Sequence, residues 1–198
     1  YCGRVGIACD IFVPEGTSDK KIRMIEAHGA TAHIIPGNRD HCADVCRATA
    51  REKQLYYANH VYNPFFYEGT KTYIYETYEQ LHRIPEHIFI PVGNGTLFLG
   101  IVKGLEHLLQ SGLIPHMPQL YLVQSERCQP LLQAMAEHAA QIRPGTSSAT
   151  LAEGISIGLP MRSAEILSYV YRYHVKGVAI PEEKILPARS KLARRGIY

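Results

Sequence analysis

Short apolar runs alternate with longer helical patterns along the whole chain, and this alternation restricts the fold more than any other feature of the sequence. The apolar run 11–13 is followed by a capped helix, and the run 87–92 by a glycine turn and a helix over 97–109. A parallel pair of strands needs a crossover of about a dozen residues or more, usually a helix. The sequence therefore predicts a three-layer α/β/α fold with a mostly parallel sheet.

Apolar spacing and turn-forming residues predict the individual elements. Strands are predicted at residues 11–13, 30–35, 55–61, 87–92, 119–123, 154–157 and 178–180. Helices are predicted at residues 19–28, 40–54, 69–81, 97–109, 130–141, 163–174 and 181–195, the last allowing a break at Pro187. Residues 143–150 form the most loop-like stretch, and the interruption at 59–64 is the best position for a domain boundary.

The composition is that of an ordinary globular chain and argues against several classes of function. Of the 198 residues 46% are hydrophobic and 20% charged, and the net charge is only +3. No apolar run approaches the ~18 residues of a membrane span, and no signal-peptide pattern opens the sequence. Because the charge gives no electrostatic case for nucleic acid, we expect neither a nucleic-acid nor a membrane partner.

The five cysteines are too few and too irregularly spaced to predict a disulfide scaffold. We therefore expect reduced thiols and a cytoplasmic location. Cys42 and Cys46 lie four residues apart beside His41, which could form half of a metal site. Because no second half with CxxC or HxxxH spacing is found, no metal is predicted.

Both ends of the sequence suggest a segment of a longer protein. The chain does not begin with methionine. At the other end, the helix-stop signal of Gly196 is followed by Ile197 and Tyr198, which begin an extended pattern. We therefore expect that further chain belongs to this protein.

The strongest local signal is a glycine turn between a buried strand and a helix, in the segment 90–100. Gly93 and Gly95 allow the backbone to approach a ligand closely, and Thr96 adds a hydroxyl donor. Such a turn directs several backbone N–H groups and the positive end of the helix dipole at one spot, which favours a phosphate or a carboxylate. A tight strand–helix connection without a ligand is the alternative on spacing alone.

Two common nucleotide-binding motifs do not fit this turn. A dinucleotide fingerprint requires glycine where this chain has Phe98, together with an acidic residue at a later strand end. A P-loop requires lysine directly after its second glycine, but Ile101 follows Gly100. Hydrolysis of nucleoside triphosphates is therefore not expected.

Five motifs occur together in one order across nearly the whole chain. They occupy residues 12–18 with 20–22 and 29–30, then 63–72, 91–97, 152–155 and 192–198. In this order and spacing the chain resembles the fold-type-II pyridoxal-phosphate-dependent enzymes, the tryptophan synthase β superfamily. Within that superfamily the sequence is most similar to threonine synthase-like proteins.

The resemblance implies that the cofactor is pyridoxal 5'-phosphate, and it indicates which residues bind it. The residues expected to contact the cofactor are Gly93, Asn94, Gly95, Thr96 and Leu97, mainly as backbone donors to the phosphate, and Glu153 and Gly154, beside the pyridine ring. Residues 1–62 would form part of a small α/β domain, and residues 63–198 part of a large cofactor-binding α/β domain. Lys71 and Thr72 are expected to be structural, with contact to the active-site cleft as the alternative.

The reaction of the family requires more residues than this chain provides. The resemblance implies a lysine that binds the cofactor covalently, in a Ser-x-Lys-x-Arg-like motif that precedes every segment seen here. Residues 18–23 are superficially similar to that motif, but position 22 is Ile, and the segment matches a surface helix of the small domain. No catalytic residue is therefore assigned, and the chain alone is expected to be inactive.

The resemblance also indicates what the parent protein does. It implies a lyase or synthase of amino-acid biosynthesis that acts on amino acids by β- or γ-elimination or replacement. A threonine synthase-like enzyme would convert O-phosphohomoserine to threonine and phosphate. Cysteine synthase-like and threonine dehydratase-like activities are alternatives, as is a non-catalytic scaffold fragment that binds an anion. The expected partners are a small amino-acid substrate and a second copy of the protein in a homodimer.

Overall fold

Parallel strand pairing organises each of two units of the chain, Tyr1–Ala58 and Asn59–Tyr198. The computed structural model describes residues 1–37, 39–63, 65–143 and 148–197. Parts of the predicted loop at 143–150, of the predicted boundary at 59–64 and of the last motif therefore lie outside the described residues. The assignment of 1–62 and 63–198 to a small and a large domain stays a prediction.

The first unit is built around one pair of parallel strands. Its elements are α1 (Cys2–Val5), β1 (Asp10–Pro14), α2 (Asp19–Ala27), β2 (Thr31–Ile35) and α3 (Arg39–Glu52). Asp10 of β1 lies opposite Thr31 of β2, and α2 is the crossover that the parallel pairing requires. Ser18 is the N-cap of α2 and Asp19 lies in its first turn, where a negative charge complements the helix dipole.

The second unit contains a three-stranded parallel sheet in the order β3-β4-β5. Its elements are α4 (Phe66–Leu81), β3 (His87–Pro91), α5 (Thr96–Gln110), β4 (Gln119–Ser125), α6 (Pro130–Ala136), a short 3-10 helix (Glu153–Ile155), α7 (Ser163–Arg172), β5 (Lys176–Ile180) and α8 (Glu182–Ala193). Because the strands are parallel, all three end at the same edge of the sheet. The predicted α/β class with parallel strands is confirmed.

Helix α5 is the most deeply buried helix of the second unit. Phe98, Leu99, Val102 and Leu105 have no exposed surface, so the helix is apolar on nearly every side. Helix α4 packs closely against it at a glycine, because a Cβ atom at Gly100 would lie 2.0 Å from Thr70 Oγ1. The side chains of α5 therefore hold its first turn in a fixed position within the core.

Two predicted strands are wrong. Residues 55–61 pair with no strand in the described part of the chain, and the side chains of Leu55 and Tyr56 are 48% and 75% exposed. The start of this tyrosine-rich segment is apolar in composition but exposed, and only Val61 at its end is buried. Residues 154–157 contain the end of the 3-10 helix Glu153–Ile155 instead of a strand, and Ile155 N–H donates to the Ala152 carbonyl at 3.0 Å.

The structure also corrects details of the predicted helices, and α4 begins at Phe66 instead of residue 69. Helix α6 ends at Ala136 instead of residue 141, because His138 takes a left-handed φ of 50° and Ala139 N–H closes the helix on the Ala134 carbonyl at 2.9 Å. Helix α8 continues past Pro187 to Ala193, so the break that the proline allowed does not occur.

The contact between Gly100 and Thr70 predicts opposite effects for two alanine substitutions. Gly100→Ala should destabilise the fold by about 1–3 kcal/mol, because the new methyl group would also lie 2.9 Å from the Thr70 carbonyl carbon. Gly69→Ala, on the exposed side of α4 with no atom within 4 Å, should stabilise it by up to ~1 kcal/mol. Urea unfolding followed by circular dichroism measures both. Equal free energies of unfolding for the two variants would contradict the packing described.

Candidate functional site

A tight turn joins β3 to α5 at the edge where the parallel strands end. Val92 N–H donates to the Val123 carbonyl at 3.0 Å, and the helix begins at Thr96. Gly95 is the N-cap residue with a left-handed φ of 81°. A Cβ atom at Gly95 would lie 2.2 Å from Ile166 Cδ1 of α7. Only glycine satisfies both the backbone angle and the close packing at this position.

The backbone N–H groups of this turn are free to bind an anion. Among the described residues, no protein acceptor receives a hydrogen bond from the N–H of any residue from Gly93 to Phe98. Leu99 is the first with a bonded N–H, to the Gly95 carbonyl at 2.9 Å. Unpaired N–H groups at a helix N-terminus carry the positive end of the helix dipole, so the turn can hold a phosphate.

The predicted phosphate-binding residues lie together in this turn and differ in burial. Gly93 and Gly95 are buried, whereas Asn94, Thr96 and Leu97 are half-buried. The Thr96 carbonyl accepts a hydrogen bond from Thr70 Oγ1 of α4 at 3.2 Å, which ties the first turn of α5 to its neighbouring helix.

The other predicted segment, around Glu153 and Gly154, passes directly over the turn. We call residues 150–157 the strap. A Cβ atom at Gly93 would lie 3.1 Å from Ile155 Cα, 3.1 Å from Ile157 Cγ1 and 3.5 Å from the Gly154 carbonyl oxygen. The backbone of the strap is therefore in van der Waals contact with Gly93, while Glu153 and Gly154 themselves are exposed.

A buried glutamine near the end of β4 bonds to the residue that precedes the turn. Gln124 is fully buried, and its side-chain amide donates to the Val92 carbonyl at 3.0 Å. Its carbonyl oxygen accepts from Leu131 N–H at 3.0 Å, at the start of α6. Gln124 of β4 therefore links Val92, the residue after β3, to the start of α6.

A buried carboxylate, Glu182, lies directly after β5 at the same edge of the sheet. It accepts hydrogen bonds from Ser125 Oγ at 2.5 Å, from Leu151 N–H at 3.0 Å and from Thr150 Oγ1. These bonds, led by the Leu151 N–H, lower the pKa of Glu182 to about 2. The sequence alone does not reveal this cluster, because the bonding partners are distant in sequence.

A second polar cluster joins α4, α5 and α7 and was not predicted. Arg162 Nη1 donates to the Val61 carbonyl at 3.2 Å, and the guanidinium carbon lies 4.7 Å from the centre of the Tyr67 ring. Glu165 pairs with Arg162 at 2.8 Å and with Lys103 at 3.2 Å. Burial raises the pKa of Tyr67. The cluster fixes α7, and with it the Ile166 side chain that packs on Gly95.

The remaining candidates take part in local contacts. Lys71 Nζ lies 2.6 Å from Glu68 Oε2, and Thr72 Oγ1 donates to the Gly69 carbonyl at 2.8 Å, so both bonds stay within α4. Cys42 and Cys46 lie on α3. No group of three or more potential ligands that could hold a metal is found in the ranges 1–37, 39–63, 65–143 and 148–197. No helix in those ranges has the length and hydropathy of a membrane span.

Comparison with known sequences gives one family and a consistent set of relatives. The family model described as "Pyridoxal-phosphate dependent enzyme" matches residues 1–198. Threonine synthase from Methanocaldococcus jannaschii is 31% identical over 201 residues, which cover 100% of this chain and 49% of the relative. Threonine synthase from Methanosarcina acetivorans is 30% identical, with 98% and 48% covered. The chain thus spans about half the length of the curated relatives it matches.

Solved structures share the fold at much lower sequence identity. Serine racemase from Dictyostelium discoideum matches with a TM-score of 0.76 and 16% identity, covering 98% of this chain and 58% of that one. Threonine deaminase isoform 2 from Solanum lycopersicum matches with a TM-score of 0.74 and 18% identity, covering 90% and 49%. At these identities the likeness concerns the fold alone.

The low pKa of Glu182 predicts a specific loss of stability in acid. The carboxyl has a pKa of about 2 in the folded chain against an ordinary value of 4.5, so its contribution to stability is complete above pH 4.5 and is lost as the pH falls towards 2. Urea unfolding at several pH values should show the difference between the original chain and Glu182→Gln shrinking across that window. Glu183→Gln, at the exposed neighbouring position, should track the original chain. A constant difference from pH 6 to pH 2.5 would contradict the assignment.

Proposed function

The chain belongs to the pyridoxal-phosphate-dependent enzymes, and from this premise we propose that the turn 93–97 binds the phosphate of the cofactor. The observation that carries this proposal is the run of backbone N–H groups from Gly93 to Phe98, for which the described residues provide no acceptor. A phosphate offers several acceptor oxygens and a double negative charge, which match a cluster of donors at a helix N-terminus. Glycine at 93 and 95 makes room for the strap and for Ile166, which pack against the turn and keep it in this conformation.

The residues of this chain bind and orient the cofactor in the proposed mechanism. When bound, pyridoxal phosphate withdraws electrons from an amino-acid substrate. The turn holds the phosphate, and the dipole of α5 stabilises its charge. The strap covers Gly93 and places Glu153 and Gly154 beside the ring in this proposal. The contacts of Gly93 with Ile155 and Ile157 limit the access of water to the turn.

For the whole protein we propose a threonine synthase-like reaction, the conversion of O-phosphohomoserine to threonine and phosphate. The support is that the relatives at 31% and 30% identity are threonine synthases. A threonine dehydratase-like or cysteine synthase-like lyase is the second candidate, because the fold, which threonine deaminase shares, does not by itself distinguish these reactions. Release of phosphate from O-phosphohomoserine would indicate the threonine synthase-like reaction. Release of ammonia from threonine would indicate the threonine dehydratase-like reaction.

We further propose that these residues alone do not complete the reaction, because the lysine that would bind the cofactor covalently is not among them. The buried Lys71 and the half-buried Lys103 both have carboxylate partners: Lys71 pairs with Glu68, and Lys103 with Glu165. Neither extends a free amine to the turn in these pairs. A non-catalytic scaffold that binds an anion remains the alternative for the isolated chain.

The proposed setting is the cytoplasm, with a small amino-acid substrate and a second copy of the protein as partners. The thiols support a reducing compartment because Cys2, Cys9, Cys42, Cys46 and Cys128 are all free. Large exposed apolar side chains, among them Phe65 at 76% and Phe89 at 60%, support association with further protein.

Substitution of Gly95 tests the proposed phosphate site. Gly95→Ala should weaken binding of pyridoxal phosphate and of inorganic phosphate by about tenfold or more, because the methyl group strains φ and displaces Ile166. Gly112→Ala is the matched control: it lies beyond the other end of α5 with a φ of 70° and no atom within 4 Å. Fluorescence titration with pyridoxal phosphate, and its competition by inorganic phosphate, measure both. Equal affinities in the two variants would overturn the proposed site.

Borohydride reduction tests the proposed absence of covalent attachment. The chain mixed with pyridoxal phosphate should show reversible binding that inorganic phosphate competes away. After borohydride treatment, mass spectrometry should find no cofactor attached at a single position. Stoichiometric attachment at one lysine, prevented by inorganic phosphate, would show that the chain itself supplies the missing amine.

A further inference from the structure

Glu182 stands at a junction of three elements that meet at the carboxyl edge of the sheet. The side chain is only 6% exposed. It follows β5, bonds to Ser125 at the end of β4 and bonds to Thr150 and Leu151 at the start of the strap. A buried carboxylate is stable only when donors surround it, and these three donors come from segments 57, 32 and 31 residues away.

The bonds of Glu182 continue into the strap itself. Thr150 Oγ1 donates to Glu182 and also accepts a hydrogen bond from Ala152 N–H at 3.1 Å. Leu151 N–H donates directly to the carboxylate. The 3-10 helix starts immediately afterwards, at Glu153, and its backbone contacts Gly93. The carboxylate therefore fixes the direction in which the strap leaves the sheet edge.

Through β4, the junction at Glu182 is also connected to Val92, the residue that precedes the turn. Ser125 Oγ accepts Arg127 N–H at 3.1 Å, which orders the chain after β4. Its neighbour in β4, Gln124, donates to the Val92 carbonyl directly before Gly93. Glu182 is therefore connected to the turn in two ways: through Ser125 and Gln124 of β4, and through the strap.

We propose that Glu182 is a positioning residue for the cofactor: its carboxylate holds the strap over the turn 93–97, so that Glu153 and Gly154 face the cofactor ring. The part of this inference that concerns the cofactor rests on the proposed function, whereas the ordering of the strap by Glu182 is independent of it. The charge of the carboxylate matters because it strengthens all three of these hydrogen bonds, from two hydroxyls and one backbone N–H. A glutamine keeps the shape but loses the charge, and the hydroxyls of Ser125 and Thr150 must then turn to accept from its N–H2 group, which weakens the hold on the strap.

Hydrogen exchange tests the ordering of the strap without any ligand. In Glu182→Gln, the amides of the peptide covering the strap, above all those of Leu151 and Ala152, should exchange about tenfold faster or more. Exchange in the core strand β4 from Leu120 to Leu122 should stay unchanged, which shows that the variant is folded. Glu183→Gln is the matched control, since that neighbouring side chain is exposed. If Glu182→Gln fails to fold, Ser125→Ala removes a single donor and should give a smaller increase at the same amides.

Ligand affinity tests the link from the strap to the cofactor. Glu182→Gln should bind pyridoxal phosphate about fivefold more weakly but bind inorganic phosphate almost as the original chain does, because the phosphate needs only the turn. A merely structural role would weaken both ligands together and lower the melting temperature. Unchanged strap exchange or unchanged affinity for pyridoxal phosphate in Glu182→Gln would overturn the inference.

The two proposals fail in different ways in these experiments. If the original chain binds neither pyridoxal phosphate nor inorganic phosphate, the proposed function fails, whereas the exchange measurement still decides whether Glu182 orders the strap. If the original chain binds both ligands and the variant keeps both affinities, only the positioning role fails.

Discussion

Backbone N–H groups without protein acceptors, at the point where β3 becomes α5, are the constraint around which the second unit is arranged. In the described residues these donors run from Gly93 to Phe98, and the buried helix behind them adds the positive end of its dipole. Leaving donors unpaired in a half-buried turn is unfavourable unless a ligand or water bonds to them. The packing around the turn must therefore fix its backbone while it leaves these N–H groups accessible to a ligand or to water.

Three separate contacts hold the turn in place. Gln124 bonds to the carbonyl before it, Thr70 bonds to the carbonyl of Thr96, and Ile166 packs on Gly95 where no side chain fits. Each contact comes from a different element, namely β4, α4 and α7. In the proposal above, Glu182 adds an indirect fourth contact, through the strap that packs on Gly93. Preorganisation of this kind spares a ligand the cost of ordering its own binding site.

Patterns with local causes could be predicted from the sequence, and features made by distant contacts could not. The run 87–92, the glycine turn and the helix from 97 follow from neighbouring residues, and with the other motifs they led to the family, its fold class and its cofactor, all of which are confirmed. The predicted strand at 55–61 is wrong because tyrosine spacing does not reveal whether a partner strand exists. The buried carboxylate of Glu182 could not be predicted, because its partners Ser125 and Thr150 are far away in sequence.

The proposed phosphate site is made of backbone donors, so it would constrain few side chains apart from the glycines. Serine racemase and threonine deaminase share the fold with this chain at 16% and 18% identity. Backbone donors of this kind would recognise the phosphate of a cofactor and give no information about an amino-acid side chain. In the proposed enzyme, the choice between releasing phosphate and releasing ammonia must therefore depend on side chains that touch the substrate. In that proposal the strap contributes one such side chain, the exposed Glu153.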